Sequence, residues 1–207
     1  MMFADSLHPP AHAKALIFDC DGTLADTFAA HYGAFRAALA PYGIDFGTDF
    51  YAVRLGWSRK ALLEAVVQET GVPFDAEAVA ARNAPLFLDH IDAVRAIAAT
   101  EALVRGYYGK MRLGVCSGGQ KDIVEATLKA IGLYDCFDGV VTFEDTGIGK
   151  PAPDLYLEAC RRVGVAPSEA HAYEDSDEGI EAARVAGLSV SDVRPFYTPD
   201  PSGWCDG

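Results

Sequence analysis

Six residues are of the types that handle phosphate and metal. Asp19, Asp21, Glu174 and Asp175 supply carboxylates, Ser117 a hydroxyl and Lys150 an ammonium. Apolar runs precede them: 15–18 leads to Asp19, 113–116 to Ser117, 140–143 to the loop of Lys150, and 170–173 to Glu174. Crowded carboxylates repel one another and call for a cation. An oxygen-only ligand set without His or Cys suits Mg2+, which keeps part of its water and bridges to phosphate. A carboxylate can attack phosphorus and form an acyl phosphate, which divides one hard step into two easier ones. The metal and Lys150 would neutralise charge on the transferring oxygens. Asp21 could protonate a leaving oxygen and then activate water.

The elements that must position these groups follow from periodicity. Continuous apolar runs of this length are the pattern of buried parallel strands, and 188–190 is a weaker fifth. Helical faces lie between them. Ile123, Val124, Thr127, Leu128 and Ile131 form one; Leu155, Ala159, Cys160 and Val163 another; Ile180, Ala183 and Ala186 a third. Gly132, Gly164 and Gly187 stand where a left-handed helix stop is expected. Strands alternating with helices indicate an α/β fold on a parallel sheet, whose sites lie at the C-terminal strand ends. The stretch 27–92 breaks the alternation: it is helical without a strand, Ser58 and Asp75 are its candidate N-caps, and it is expected to form a separate lid. The first dozen residues and the Pro- and Gly-rich end after Val193 (Pro195, Pro199, Pro201, Gly203) are expected to be loose tails.

The bulk numbers bound the alternatives. The 207 residues suit one core with a modest insertion, and 50% hydrophobic residues allow a buried core. A net charge of -13 argues against a nucleic-acid partner, which needs basic patches. No apolar run reaches membrane-spanning length and no signal-peptide pattern is present, so no membrane association is expected. The five Cys (Cys20, Cys116, Cys136, Cys160, Cys205) are scattered, as reduced thiols of a cytoplasmic protein would be. Cys20 lies between the two aspartates with its side chain on the opposite face, and is assigned no chemistry.

Four segments carry a resemblance. Asp19-Cys20-Asp21-Gly22-Thr23-Leu24-Ala25-Asp26, Ser117-Gly118-Gly119, Lys150-Pro151-Ala152-Pro153-Asp154 and Glu174-Asp175-Ser176-Asp177-Glu178-Gly179-Ile180 resemble, in order, the four motifs of the haloacid-dehalogenase superfamily. The resemblance implies a Rossmann-like core at 13–26 and 93–207, with a helical cap at 27–92 inserted after the first strand. It implies that Asp19 is nucleophile and metal ligand. Asp21 would be acid/base, with its backbone carbonyl on the metal. Asp175 would be a direct metal ligand, and Glu174 would hold a metal-bound water. Ser117 and Lys150 would bind the phosphoryl group, with the amides of Gly118 and Gly119 as further donors. Mg2+ is the implied cofactor.

The insert resembles the cap of the β-phosphoglucomutase-like branch. There Gly56-Trp57-Ser58-Arg59 is similar to a sugar-phosphate-contacting segment and His31 occupies a cap-hinge position. Arg59 reads equally as an exposed arginine early in a helix, and Arg54 is a weaker candidate. Asp177 and Glu178 suit the positive end of the following helix. The segment 93–100 lacks the Pro-Gly turn usual at the second junction. The run 186–194 looks like the sugar-phosphate phosphatases acting on fructose 1-phosphate or 6-phosphogluconate. The expectation is thus a phosphatase of small phosphorylated metabolites, with sugar phosphates foremost, acting as a monomer or weak dimer. A phosphomutase is the alternative. A haloacid dehalogenase is disfavoured by Asp21 and the Glu174-Asp175 pair, and a non-catalytic binding module by the filled catalytic positions.

Overall fold

A computed structural model describes residues 7–55, 57, 59–201 and 204. In chain order the elements are β1 (Ala15–Phe18), β2 (Ala25–Asp26), α1 (Phe28–Leu39), α2 (Thr48–Ala52), α3 (Arg59–Thr70) and α4 (Ala76–Asp89). Then follow β3 (Arg95–Ala96), α5 (Ala98–Tyr107), β4 (Arg112–Cys116), α6 (Lys121–Ala130), β5 (Gly139–Val141) and α7 (Phe143–Thr146). The last are α8 (Asp154–Val163), β6 (Ala170–Glu174), α9 (Asp177–Ala186) and β7 (Ser189–Asp192).

All five apolar runs enter one parallel sheet, in the order β5-β4-β1-β6-β7. β1 is central because all four of its side chains are apolar and buried, as a strand covered on both faces requires. The helices of this α/β unit pack by their apolar stripes, and Leu155, Ala159, Val163, Ala182 and Ala183 join Ile17 and Ala172 in one cluster. Gly164 and Gly187 close α8 and α9 in the left-handed conformation. Across β6 and β7, His171 laces the strands together. Its Nδ1 meets Ser189 Oγ at 2.8 Å and its Nε2 meets Ser191 Oγ at 2.9 Å.

The described residues divide into two compact units. One comprises Met1–Asp26 and Arg95–Thr198, the other Thr27–Val94 and the stretch from Pro199. The second is helical. Tyr32, Phe35, Leu39, Phe46, Tyr51, Leu62, Leu63, Val66 and Val79 form its core. Asp75 caps α4 as expected, accepting from the backbone N–H of Glu77 and Ala78 at 3.0 Å each. Ser58, the other expected cap, lies outside the described residues, as do Gly56, Gly203 and Cys205.

Several details differ from the sequence expectation. The α/β unit resumes at Arg95, not at 93, because Asp26 and Arg95 pair in a two-stranded antiparallel ribbon of β2 and β3. The run 140–143 stops being strand at Val141. Thr142 turns the chain into α7, and its backbone N–H donates to Asp145 Oδ2 at 2.8 Å in a capping box. The start of the chain is pinned from Leu7, which is buried and accepts the Tyr173 hydroxyl on its carbonyl at 2.7 Å. In the segment expected to be a loose tail, one described residue is packed. Trp204 is buried among the helical unit's aromatics, 5.8 Å from the Tyr32 ring and 5.5 Å from the Tyr51 ring. Asp177 begins α9 but also accepts from Arg194 Nη1 at 2.9 Å, so it has a partner beyond the helix end.

Candidate active site

Parallel register fixes where the chemistry collects. Phe18 pairs with Val115 on one side and Tyr173 on the other, so β1, β4 and β6 end side by side. Asp19, Ser117 and Glu174 therefore emerge at one sheet edge. The Asp19 amide still holds the ladder, donating to the Tyr173 carbonyl at 3.0 Å, and Ser117 N–H donates to the Val141 carbonyl at 2.9 Å. After Asp19 the chain folds back at once: Ala25 N–H returns to the Cys20 carbonyl at 3.0 Å, and Gly22 N–H donates to the Ala25 carbonyl at 2.8 Å. Gly22 has φ +82, and a Cβ there would collide with the Asp175 carboxylate.

Lys150 ties the strand ends together. Its ammonium donates to Asp19 Oδ1 at 2.5 Å and to Glu174 Oε1 in a still shorter contact. Asp19 and Glu174 are both buried. Glu174 fills both of its oxygens. Oε1 also accepts from the Tyr156 hydroxyl at 2.9 Å, while Oε2 accepts from the amides of Asp175 (3.0 Å) and Ser176 (3.2 Å) and from Ser176 Oγ (3.1 Å). A Cβ at Gly179 would overlap the Glu174 carboxylate, so the side chain reaches into the first turn of α9 only because that residue is Gly. Asp175 Oδ1 accepts from Thr23 Oγ1 at 3.2 Å. Thr23 is fixed in turn by Thr100, whose buried hydroxyl donates to the Thr23 carbonyl at 2.6 Å.

Asp19, Glu174 and Asp175 can each aim one oxygen to within 4.8 Å of the others. Burial pushes Asp19 well above the usual carboxylate range, Lys150 pulls it back, and Glu174 and Asp175 push it up again. Burial likewise raises Asp175 to about 7, with Glu174 adding to the shift. Burial alone would lower Lys150, but Asp19 and Glu174 hold it well above its ordinary value. Three carboxylates share one ammonium in a largely buried site, so their negative charge is only partly compensated when they are ionised. A hard divalent cation is its complement, and the all-oxygen donor set fits Mg2+.

The expected phosphate-binding residues take definite places. Ser117 is buried and its Oγ accepts the Gly119 amide at 3.0 Å, so that donor is turned onto the hydroxyl. A Cβ on Gly119 would stand 3.7 Å from Asp21 Oδ2, which places this turn beside Asp21. Gly118 is exposed with open space at its α-carbon. The Asp21 carboxylate is not part of the three-carboxylate group found among the described residues. Arg59 and His31 belong to the helical unit: Arg59 is exposed at the start of α3, and the His31 ring lies 4.6 Å from that of Phe87. Arg54 is likewise there, its guanidinium 3.7 Å above the Phe50 ring. Tyr156 and Thr100 support the site from outside the four motifs, and Ser176 supports it from within the fourth. A tyrosine on an otherwise apolar helix face was the available signal, since a buried phenol needs a partner.

The sequence profile described as haloacid dehalogenase-like hydrolase matches residues 13–187. The chain belongs to this family. It is 33% identical over 183 residues to the fructose-1-phosphate phosphatase YqaB of Escherichia coli, covering 86% of this chain and 95% of that one. It is 30% identical over 179 residues to a validoxylamine A 7'-phosphate phosphatase of Streptomyces hygroscopicus subsp. limoneus, covering 84% and 83%. Among solved structures, CbbY of Rhodobacter sphaeroides in complex with phosphate superposes with a TM-score of 0.74 at 26% identity, covering 92% of this chain and 91% of that one. The family hydrolase and the α/β fold expected from the motifs are thus both found. No described helix is long and apolar enough to cross a membrane.

Proposed function

We propose that this protein is a Mg2+-dependent phosphatase of small phosphorylated carbohydrates that works through an aspartyl-phosphate on Asp19. The observation that carries this is the Lys150 ammonium held between Asp19 and Glu174, with Asp175 beside them, at the C-terminal ends of β1 and β6. The carbohydrate part rests on the relatives, whose names include a phosphatase of fructose 1-phosphate and one of phosphorylated carbohydrates.

Asp19, Asp175 and Glu174, the last through water, would hold the cation, with the Asp21 carbonyl as a further ligand. When bound it supplies charge neutralisation to the transferring phosphoryl oxygens. Lys150 favours the ionised form of Asp19 against the effect of burial and fixes one of its oxygens, leaving the other to attack phosphorus. The ester P–O bond breaks as the acyl phosphate forms, and Asp21 gives its proton to the departing alcohol oxygen. Water then attacks the phosphorus, Asp21 takes the water's proton, and Asp19 and inorganic phosphate are released. Ser117 and Lys150 bind the phosphoryl oxygens, with the amide of Gly118 as a further donor, while the Gly119 amide supports the site by donating to the Ser117 hydroxyl. The helical unit acts as the cap that selects the substrate, with Arg59 and His31 as its candidate contacts.

The test is phosphate release from fructose 1-phosphate, 6-phosphogluconate and β-glucose 1-phosphate, with Mg2+ and with EDTA. Release that needs Mg2+ is expected for at least one of them. Conversion of β-glucose 1-phosphate to glucose 6-phosphate without release would replace the reading by a phosphomutase. Turnover of a 2-haloacid in EDTA would replace it by a dehalogenase.

A further inference from the structure

Tyr156 sits in the first turn of α8 with its ring wholly buried. The ring is part of the apolar cluster that includes Leu155, Ala159 and Val163, so its packing role is that of any large hydrophobe. Its hydroxyl does something packing does not require. It donates to Glu174 Oε1 at 2.9 Å, the same oxygen that accepts from Lys150. The Lys150 ammonium lies 5.4 Å from the centre of the Tyr156 ring. Glu174 Oε2 is saturated by Asp175, Ser176 and the Ser176 hydroxyl, so Oε1 is where Glu174 competes with Asp19 for the ammonium.

A carboxylate oxygen that already accepts one hydrogen bond offers less charge to a second donor. With the phenol in place, Glu174 pulls less strongly on Lys150. We propose that Tyr156 is a positioning residue: by donating to Glu174 Oε1 it keeps Lys150 directed at Asp19 and at the transferring phosphoryl oxygens. This rests on the reading that Lys150 binds the phosphoryl group. Removing only the hydroxyl lets Glu174 draw the ammonium back, and the phosphoryl subsite weakens while the fold is kept.

The experiment is calorimetric binding of inorganic phosphate in Mg2+ to four proteins: wild type, Tyr156→Phe, Lys150→Met and the double variant. Lys150→Gln replaces Lys150→Met if the latter does not fold. Tyr156→Phe is expected to bind phosphate about tenfold more weakly, the scale of a bond to a charged group. Its melting temperature should stay within a few degrees. In the Lys150→Met background the same change should have no further effect, because the tyrosine acts through the lysine. Equal weakening in both backgrounds, or none in the wild type, overturns the role of Tyr156. Unchanged phosphate binding in Lys150→Met overturns instead the underlying assignment of Lys150.

Discussion

The two units are stabilised in opposite ways. In the helical unit the interior is aromatic and aliphatic: Tyr32, Phe35, Phe46, Tyr51 and Trp204 stack and tilt against one another. In the α/β unit an apolar core supports a sheet edge where Asp19 and Glu174 are buried with Lys150 between them. Among the described residues, both buried carboxylates are on this edge. Burying charge is costly unless it is paired, and pairing one ammonium with several carboxylates leaves the cost only partly met. The α/β unit therefore carries destabilising charge at this sheet edge, whereas the helical unit's core carries none among the described residues. Substitutions should separate accordingly: at the sheet edge they should remove activity and spare stability, and in the aromatic core the reverse.

The largest effect is expected for Asp19→Asn. Phosphate release should fall to the assay background, since the amide does not attack phosphorus. Thermal stability in EDTA should hold or rise by a few degrees, because one of the mutually repelling carboxylates is gone. A marked drop in melting temperature would mean that the Lys150–Asp19 pair is structural and would erase the contrast. Asp21→Asn comes next, with turnover of alkyl phosphates slowed by roughly 10²–10⁴-fold. With a leaving group that needs no protonation, such as p-nitrophenol, the loss should be much smaller. Equal losses on both ester types would remove Asp21 from the acid role.

The same contrast governs how much could be read from the sequence. The sheet edge was legible because Asp19, Ser117 and Glu174 each directly follow a continuous apolar run, and a run of that kind predicts a buried strand; Lys150 is reached only through the short helix α7 and a loop after β5. Asp175 follows Glu174 directly and so shares its strand end. Their supports were not legible, because Tyr156, Thr100 and Ser176 act through single hydroxyl bonds that leave no periodic trace. The β2–β3 ribbon escaped because two-residue strands carry no alternation. Trp204 escaped because its surroundings are rich in Pro and Gly, and only packing against residues 32 and 51, far away in sequence, gives it a place.

Trp204→Ala tests the other half of the comparison. Losing a buried indole from an aromatic cluster should cost about 3 kcal/mol of stability, read as a lower denaturant midpoint. Hydrolysis of p-nitrophenyl phosphate, which presents no sugar to select, should change by less than about threefold at a temperature where the variant is folded. A stability change within about 0.5 kcal/mol would show that the aromatic core does not depend on the C-terminal segment.

The smallest effect concerns a group that is buried in the α/β unit yet takes no part in its chemistry. His171 bridges Ser189 and Ser191, and burial lowers its pKa from 6.5 to about 4, with His12 adding to the shift. The folded protein thus binds a proton less readily at this ring than the unfolded chain does. The stability it contributes is present above pH 6.5 and is lost as pH falls through about 4. The loss should reach about 1–3 kcal/mol at pH 4. Asp175 is raised to about 7 and so changes charge at the upper end of the same interval, which makes the measurement a difference: denaturant stability of wild type against His171→Gln at pH 7 and at pH 4. Glutamine keeps a polar bridge without the charge. The two proteins should converge, or cross, on acidification, and a gap that stays constant would show that the ring is not protonated on unfolding in this interval. His171 therefore separates burial from function within one unit: it is lodged three residues before Glu174, and its titration should move stability without moving the phosphoryl chemistry.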